Sequence, residues 1–212
     1  MKDIPAFTTE NGVASLILRE IPYREEAYIR IESSLSPEAL LEECVQFCTM
    51  CGAQKIYATG HDVLKQYPTH TAMLQMRANR SDLPDTDAAL FPVQEQTASR
   101  WRDIYNQRMR EVPNASWMTE QDTKEMLEKG DGYFIHRNGE LLGIGRASED
   151  RIDVVAAVQR GAGEAVVCAL CHALSEDTVT LVVAAANEKA MNLYKRLGFY
   201  SIRGIVWWYC VK

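Results

Sequence analysis

Apolar and polar residues change rhythm several times along this chain, and each change predicts an element. Residues 13–18 and 27–31 read as strands. Between them and the next apolar run, Ser36, Pro37 and Gly52 supply an N-cap, a first-turn proline and a terminal glycine for one helix. Residues 55–58 and 71–77 read as two further strands. The polar, turn-forming stretch 79–87 (Asn-Arg-Ser-Asp-Leu-Pro-Asp-Thr-Asp) then interrupts the pattern. These features predict a small α+β unit over 1–80, of a size that buries its core thinly, followed by a larger unit over 86–212.

The larger unit has a clearer rhythm. A strand at 90–93 precedes a helix capped by Thr97, with Trp101, Ile104, Tyr105 and Met109 on one face. Thr119 and Asp122 form a capping-box pattern for a second helix, which Gly130 closes. Residues 133–137 and 141–147 flank Asn138-Gly139, a type I′ hairpin signal, and Ser148-Glu149-Asp150 turns the chain into a third strand at 152–158. The unbroken apolar run 180–186 suits a strand covered on both faces, and a helix after Gly163 leads to it, which makes a β-α-β crossover. The predicted class is α+β with α/β/α layers: a mixed, mostly antiparallel sheet with flanking helices.

Composition narrows the function. With 47% hydrophobic residues, 25% charged and a formal net charge of −6, the chain has ordinary globular character and no basic face for nucleic acid. It shows neither a leader-like start nor a membrane-length apolar run, so a soluble cytoplasmic protein is expected, with a homodimer among its allowed states. The six cysteines are too few for a disulfide scaffold. Cys44, Cys48 and Cys51 have a spacing used for iron–sulfur clusters, but Leu40, Cys44, Phe47, Cys48 and Cys51 also recur on one helical face, so packed reduced thiols are the reading adopted. Cys168, Cys171 and His172 share a helix without facing one another as a dyad, and no metal site is expected.

Chemistry concentrates in the segment Val155-Ala156-Ala157-Val158-Gln159-Arg160-Gly161-Ala162-Gly163-Glu164-Ala165, a strand passing through a glycine turn into a helix. Glycines let backbone N–H groups and a helix N-terminus converge on a phosphate, although a tight turn without a ligand has the same local sequence. The segment lacks the Lys-Ser/Thr of a Walker loop and the third glycine of a dinucleotide fingerprint.

A second segment runs from the apolar strand through Asn187, Ala190, Leu193-Tyr194 and Leu197-Gly198-Phe199. Together the two resemble the GNAT superfamily of acyl-CoA-dependent N-acetyltransferases. Arg160-x-x-Gly163-x-Ala165 is similar to that family's pyrophosphate loop, and Asn187 to Phe199 to its later strand-to-helix motif. The likeness extends over roughly 90–212.

The resemblance implies acetyl-CoA as co-substrate, with no metal, and direct acetyl transfer to a small-molecule or peptide amine without a covalent enzyme intermediate. It implies that the Val155 backbone holds the acyl carbonyl and pantetheine. The amides of Arg160, Gly161, Ala162, Gly163, Glu164 and Ala165 would hold the pyrophosphate, Asn187 a polar group of cofactor or substrate, and Tyr194 would be the acid. Ala157 stands where the family often has proline, and the family's strand glutamate is absent. Asp153, on the face of Val155 and Ala157 by strand parity, becomes the candidate base. The alternative is a non-catalytic acyl-CoA-binding or protein-interaction module. The N-terminal unit has the makings of a partial copy of the same fold without the glycine cradle.

Overall fold

Local chemistry sets the ends of the elements in the computed structural model, which describes residues 5–212. The chain divides into two units, Met1–Met73 with Ile205–Lys212 and Leu74–Gly204.

In the first unit, β1 (Ala6–Thr9), β2 (Gly12–Ile17) and β3 (Glu26–Ser34) form an antiparallel meander, with the single turn α1 (Ile21–Arg24) between the last two. Helix α2 (Pro37–Met50) crosses over and returns the chain as β4 (Lys55–Thr59), parallel to β3. Strand β5 (Thr69–Asn79) begins here and passes into the second unit at Leu74. Leu16, Ile29, Leu40, Cys44, Cys48 and Ile56 form the core. Burial pushes the Cys44 thiol up to about 12 and the Cys48 thiol up to about 11, so both behave as small hydrophobes. Cys51 is exposed at the end of α2.

Residues 205–212 group with this first unit, whereas the hydrophobic pattern attached them to the second. The reason is a strand ladder: Tyr209 pairs with Ala58 and Cys210 with Tyr57. Such pairing partners are invisible to local periodicity.

The second unit also holds a three-stranded antiparallel meander followed by a parallel crossover, with additional helices before and after it. Strand β6 (Ala89–Pro92) pairs antiparallel with β7 (Gly132–Arg137), while α3 (Glu95–Met109) and α4 (Glu120–Lys129) lie between them in sequence. The meander continues through β8 (Glu140–Ser148) and β9 (Arg151–Ala157), turned at Asn138 and Gly139, both at positive φ (51° and 81°). Helix α5 (Gly163–Ala173) then crosses to β10 (Thr178–Ala184), parallel to β9, and α6 (Glu188–Arg196) leads into β11 (Tyr200–Cys210).

Helix α3 starts two residues before the predicted cap. The Thr97 hydroxyl does take the Gln94 N–H at 3.1 Å, but from inside the first turn. Thr119 and Asp122 close the expected capping box of α4, and Gly130 ends it in the left-handed region.

Two apolar clusters lie on opposite faces of β9. Ala156 and Val154 join Trp101, Met126, Phe134 and Ile144 beneath α3 and α4. Val155 joins Val166, Leu170, Leu181, Val183 and Tyr194 beneath α5 and α6. Among the described residues no helix is long and apolar enough to cross a membrane.

Candidate active site

The site begins where a ladder stops. Strand β9 runs to Ala157 and β10 to Ala184, yet the two pair only at Thr180↔Arg151 and Leu181↔Ile152. Beyond that point they part. On its other edge β9 stays paired with β8 as far as Gly143↔Ala157. The backbone around Val155 therefore borders a gap with no strand partner on the β10 side, and a buried backbone group without a partner demands one.

The turn at the end of β9 leaves backbone amides unused. Gly161 has φ +85° with open space at its missing Cβ, and Gly163 starts the eleven-residue α5. Among the described residues the Ala162 N–H is occupied, donating to the Gln159 carbonyl at 3.3 Å, while the N–H groups of Arg160, Gly161, Gly163, Glu164 and Ala165 have no partner. A helix N-terminus with free amides carries partial positive charge. A cavity of about 270 Å³ adjoins them, lined by Gly161, Ala162, Glu164 and Ala165 together with Arg137 and Arg196. Each guanidinium has a carboxylate beside it, Arg137 with Asp87 at 2.6 Å and Arg196 with Glu164 at 3.7 Å. The Arg160 side chain is exposed, so its contribution to the turn is its amide.

Two glycines of β8 bring this helix close. A Cβ on Gly143 would stand 2.8 Å from a methyl of Val166, and one on Gly145 would overlap Leu170. The Leu-Leu-Gly-Ile-Gly-Arg run of β8 was the available signal that a helix lies flat against that strand.

Tyr194 is buried at 8% exposure in the same cluster as Val155 and Val183, with its ring 5.7 Å from that of Phe199. Burial and the nearby Cys171 thiol raise its phenol well above the usual tyrosine value, so it stays protonated. Among the described residues its hydroxyl makes no hydrogen bond. Asn187 has a structural duty, since its Oδ1 caps α6 by accepting the Ala190 N–H at 3.2 Å.

The parity argument for Asp153 does not survive the geometry. The β8–β9 register shifts so that Arg146 faces Val154 and Ala147 faces Ile152, which leaves Asp153 as the extra residue of a β-bulge. Ile152, rather than Asp153, therefore shares the face of Val155. Arg151 holds the Asp153 carboxylate at 2.7 Å and 3.3 Å. Sequence reasoning also passed over Arg108, on the last turn of α3, whose Nη2 donates to the Val158 carbonyl at 2.7 Å, just where β9 gives way to the turn.

Comparison with known proteins bears on this geometry. Residues 155–208 match the family model described as FR47-like protein. No curated protein matches the chain. Among solved structures, a functionally unknown conserved protein from Staphylococcus epidermidis is 12% identical, with 98% of this chain and 94% of that one covered and a TM-score of 0.60. A GCN5-related N-acetyltransferase from Kribbella flavida is 13% identical over 99% of this chain and 90% of its own, at TM-score 0.59. Another from Sphaerobacter thermophilus is 12% identical over 94% and 76%, at TM-score 0.57. At such identities the likeness is one of fold.

Proposed function

Because the chain folds as the GCN5-related N-acetyltransferases do and carries an FR47-like segment at 155–208, it is a protein of the GNAT fold, and we propose that it transfers an acetyl group from acetyl-CoA to an amine. The observation that carries the proposal is the coincidence of two features on one strand: β9 leaves β10 after two residue pairs, and its end runs straight into five unoccupied amides at the α5 N-terminus.

In this reading the free amides of Arg160, Gly161, Gly163, Glu164 and Ala165 bind the pyrophosphate, with Ala162 bonded within the turn and with Arg137 and Arg196 adding positive charge. The unpaired backbone near Val155 takes the pantetheine and orients the thioester carbonyl. A neutral amine attacks that carbonyl, so the C–N bond forms and the C–S bond breaks without a covalent enzyme intermediate. Tyr194 gives its proton to the departing thiolate, whose conjugate acid has a reference pKa of about 8.5, and regains one from solvent.

An amine of pKa about 10.4 must first lose a proton. With Asp153 held by Arg151, we assign that proton to water entering through the gap. Acetyl-CoA chemistry and reduced thiols suit a cytoplasmic setting. The tethered Asp153 also favours a second reading, an acyl-CoA-binding module without turnover.

Calorimetry with acetyl-CoA, followed by an amine panel read by mass spectrometry for the acetylated product, tests both. Binding with product formation supports transfer. Binding without product from any amine leaves the module, and absence of binding removes both.

A further inference from the structure

We propose that a second cavity of the larger unit, lined by Phe91, Phe134, His136 and Arg100, binds a small aromatic carboxylate. The proposal stands apart from the acetyltransferase reading, because no residue lining this cavity has a part in the transfer.

Strand register builds its aromatic wall. Phe91 of β6 stands opposite Phe134 of β7, and His136 follows two residues later on the same face, opposite Ala89. Phe134 continues into the core that holds Trp101 of α3. On the N-terminal side of Trp101 the helix presents Thr97 and Arg100 instead of apolar residues. A cavity of about 580 Å³ is left among these groups, with Asp87 also in its lining. That volume suits a small organic ligand. The helix is tied in place beside it, since the Trp101 Nε1–H donates to the Tyr133 carbonyl at 2.9 Å and the Val93 N–H to the Gly132 carbonyl at 2.9 Å.

Two groups in the lining lack the partners their chemistry asks for. Phe91 is 52% exposed, with its ring edge-to-face to that of His136 at 5.2 Å. A planar ring entering the cavity extends this aromatic cluster and takes the Phe91 surface out of water. Arg100 is exposed and, among the described residues, makes neither an ion pair nor a hydrogen bond. Its neighbours on α3 are engaged, Arg102 with Glu120 at 3.6 Å and Arg108 with the Val158 carbonyl at 2.7 Å.

The sign of the ligand's charge follows from this pairing. Asp87 is already matched with Arg137 at 2.6 Å, so the unmatched charge in the lining is the Arg100 guanidinium, whose planar fork fits a carboxylate at two points. An aromatic amine carries the wrong charge, and an aliphatic acid leaves the ring surfaces unmatched. The free amides of the α5 turn offer a carboxylate a competing place, and the experiment separates the two.

The measurement is the Kd, by NMR titration of the full chain, of 3-phenylpropionate, its carboxamide and 3-cyclohexylpropionate. Wild type, R100K, R100Q and Phe91→Ala are compared, each with and without saturating acetyl-CoA, and thermal unfolding checks that these exposed substitutions leave the fold intact. The acid is expected to bind wild type with a Kd below about 1 mM, the scale for a ligand of its size. The carboxamide, and the acid on R100Q, should each bind about 10- to 100-fold more weakly, the range for a charged hydrogen-bonded pair. R100K keeps part of the affinity. Loss of the ring, on either the ligand or Phe91, should weaken binding about 3- to 10-fold. Saturating acetyl-CoA should leave the Kd within about twofold, as separate sites require. Equal affinity for acid and carboxamide, or an affinity untouched by R100Q, overturns the proposal. Displacement of the acid by acetyl-CoA also overturns it, by placing the probe on the α5 turn. Absence of binding to wild type at about 10 mM removes the site. Binding of the acid without any binding of acetyl-CoA ends the transferase reading and leaves this site standing.

Discussion

Each unit contains a parallel β-α-β crossover, and the two differ in how far the strands stay together. In the first, β3 and β4 pair over five consecutive positions, from Glu26↔Lys55 to Arg30↔Thr59. In the second, β9 and β10 pair at two positions and separate. The turns into the following helices differ in the same sense. Ahead of α2, the N–H groups of Leu35 and Ser36 both donate to the Asn11 carbonyl at 2.9 Å and 3.2 Å, and Pro37 has no N–H to offer. Ahead of α5, five amides are left over. The same succession of elements thus yields a closed, self-satisfied crossover in one place and an open one with surplus donors in the other. Where ladder and turn both leave hydrogen bonds unmade, a β-α-β unit has donors and acceptors to offer a ligand.

The contrast is most directly broken at Gly161. Gly161→Val places a β-branched residue at φ +85° and should weaken acetyl-CoA binding about 100-fold or more by displacing the amides, while Leu35→Val at the matching turn of the first unit should leave the Kd unchanged in the same calorimetric assay. Retained affinity in the Gly161 variant would remove the cradle from the account. Tyr194→Phe should lower kcat about 100-fold with acetyl-CoA affinity intact, and Tyr28→Phe, which removes another buried phenol from the first unit, should leave kcat unchanged. Equal kcat in the Tyr194 variant and wild type would return Tyr194 to a packing role.

Gly145→Val tests how α5 is seated. The added side chain would overlap Leu170, and the destabilisation expected in urea unfolding is about 2 kcal/mol, the usual scale of overpacking. Asp153→Asn should change kcat by less than about threefold and leave the acidic limb of the pH–rate profile in place, because the carboxylate already serves Arg151; a collapse of that limb would restore it as base.

The smallest effect concerns alkaline pH. Burial raises the phenol of Tyr194 in the second unit and pushes that of Tyr57 in the first up to about 12. Both are acids whose neutral form the fold favours, so their contribution to stability is complete below the unfolded value of about 10 and declines as pH rises past it. Neither kcat nor unfolding midpoint should fall between pH 8 and about 9.5 on account of these groups, and a midpoint that declines within that window and not in the Tyr194→Phe variant would contradict the assignment.

Much of the fold was legible because it is written in local chemistry. Thr119 and Asp122 close their capping box, Asn138-Gly139 makes its hairpin turn, and the apolar run around Leu181 is a strand, covered on both faces except at the exposed Val182. The glycine turn was legible for the same reason, since a positive φ at Gly161 followed by a helix start is a property of a few adjacent residues. The face of Asp153 was misplaced because period-two parity holds only for an unbroken ladder, and the bulge opposite Arg146 and Ala147 breaks it. Gln94 and Thr97 exchanged places in the first turn of α3 because either can begin a capping box.

By itself, then, the sequence determined where strands and helices begin, which faces are apolar and which turn has amides to spare, all of which depend on neighbours within a few residues. Only the tertiary structure decided that β9 and β10 part after Leu181↔Ile152, that residues 205–212 complete the first unit, that Gly143 and Gly145 seat α5, and that Arg108 meets the Val158 carbonyl fifty residues away. Those outcomes are set by which strand edge finds a partner and which side chain finds an orphaned carbonyl, a competition among distant groups that no local pattern records.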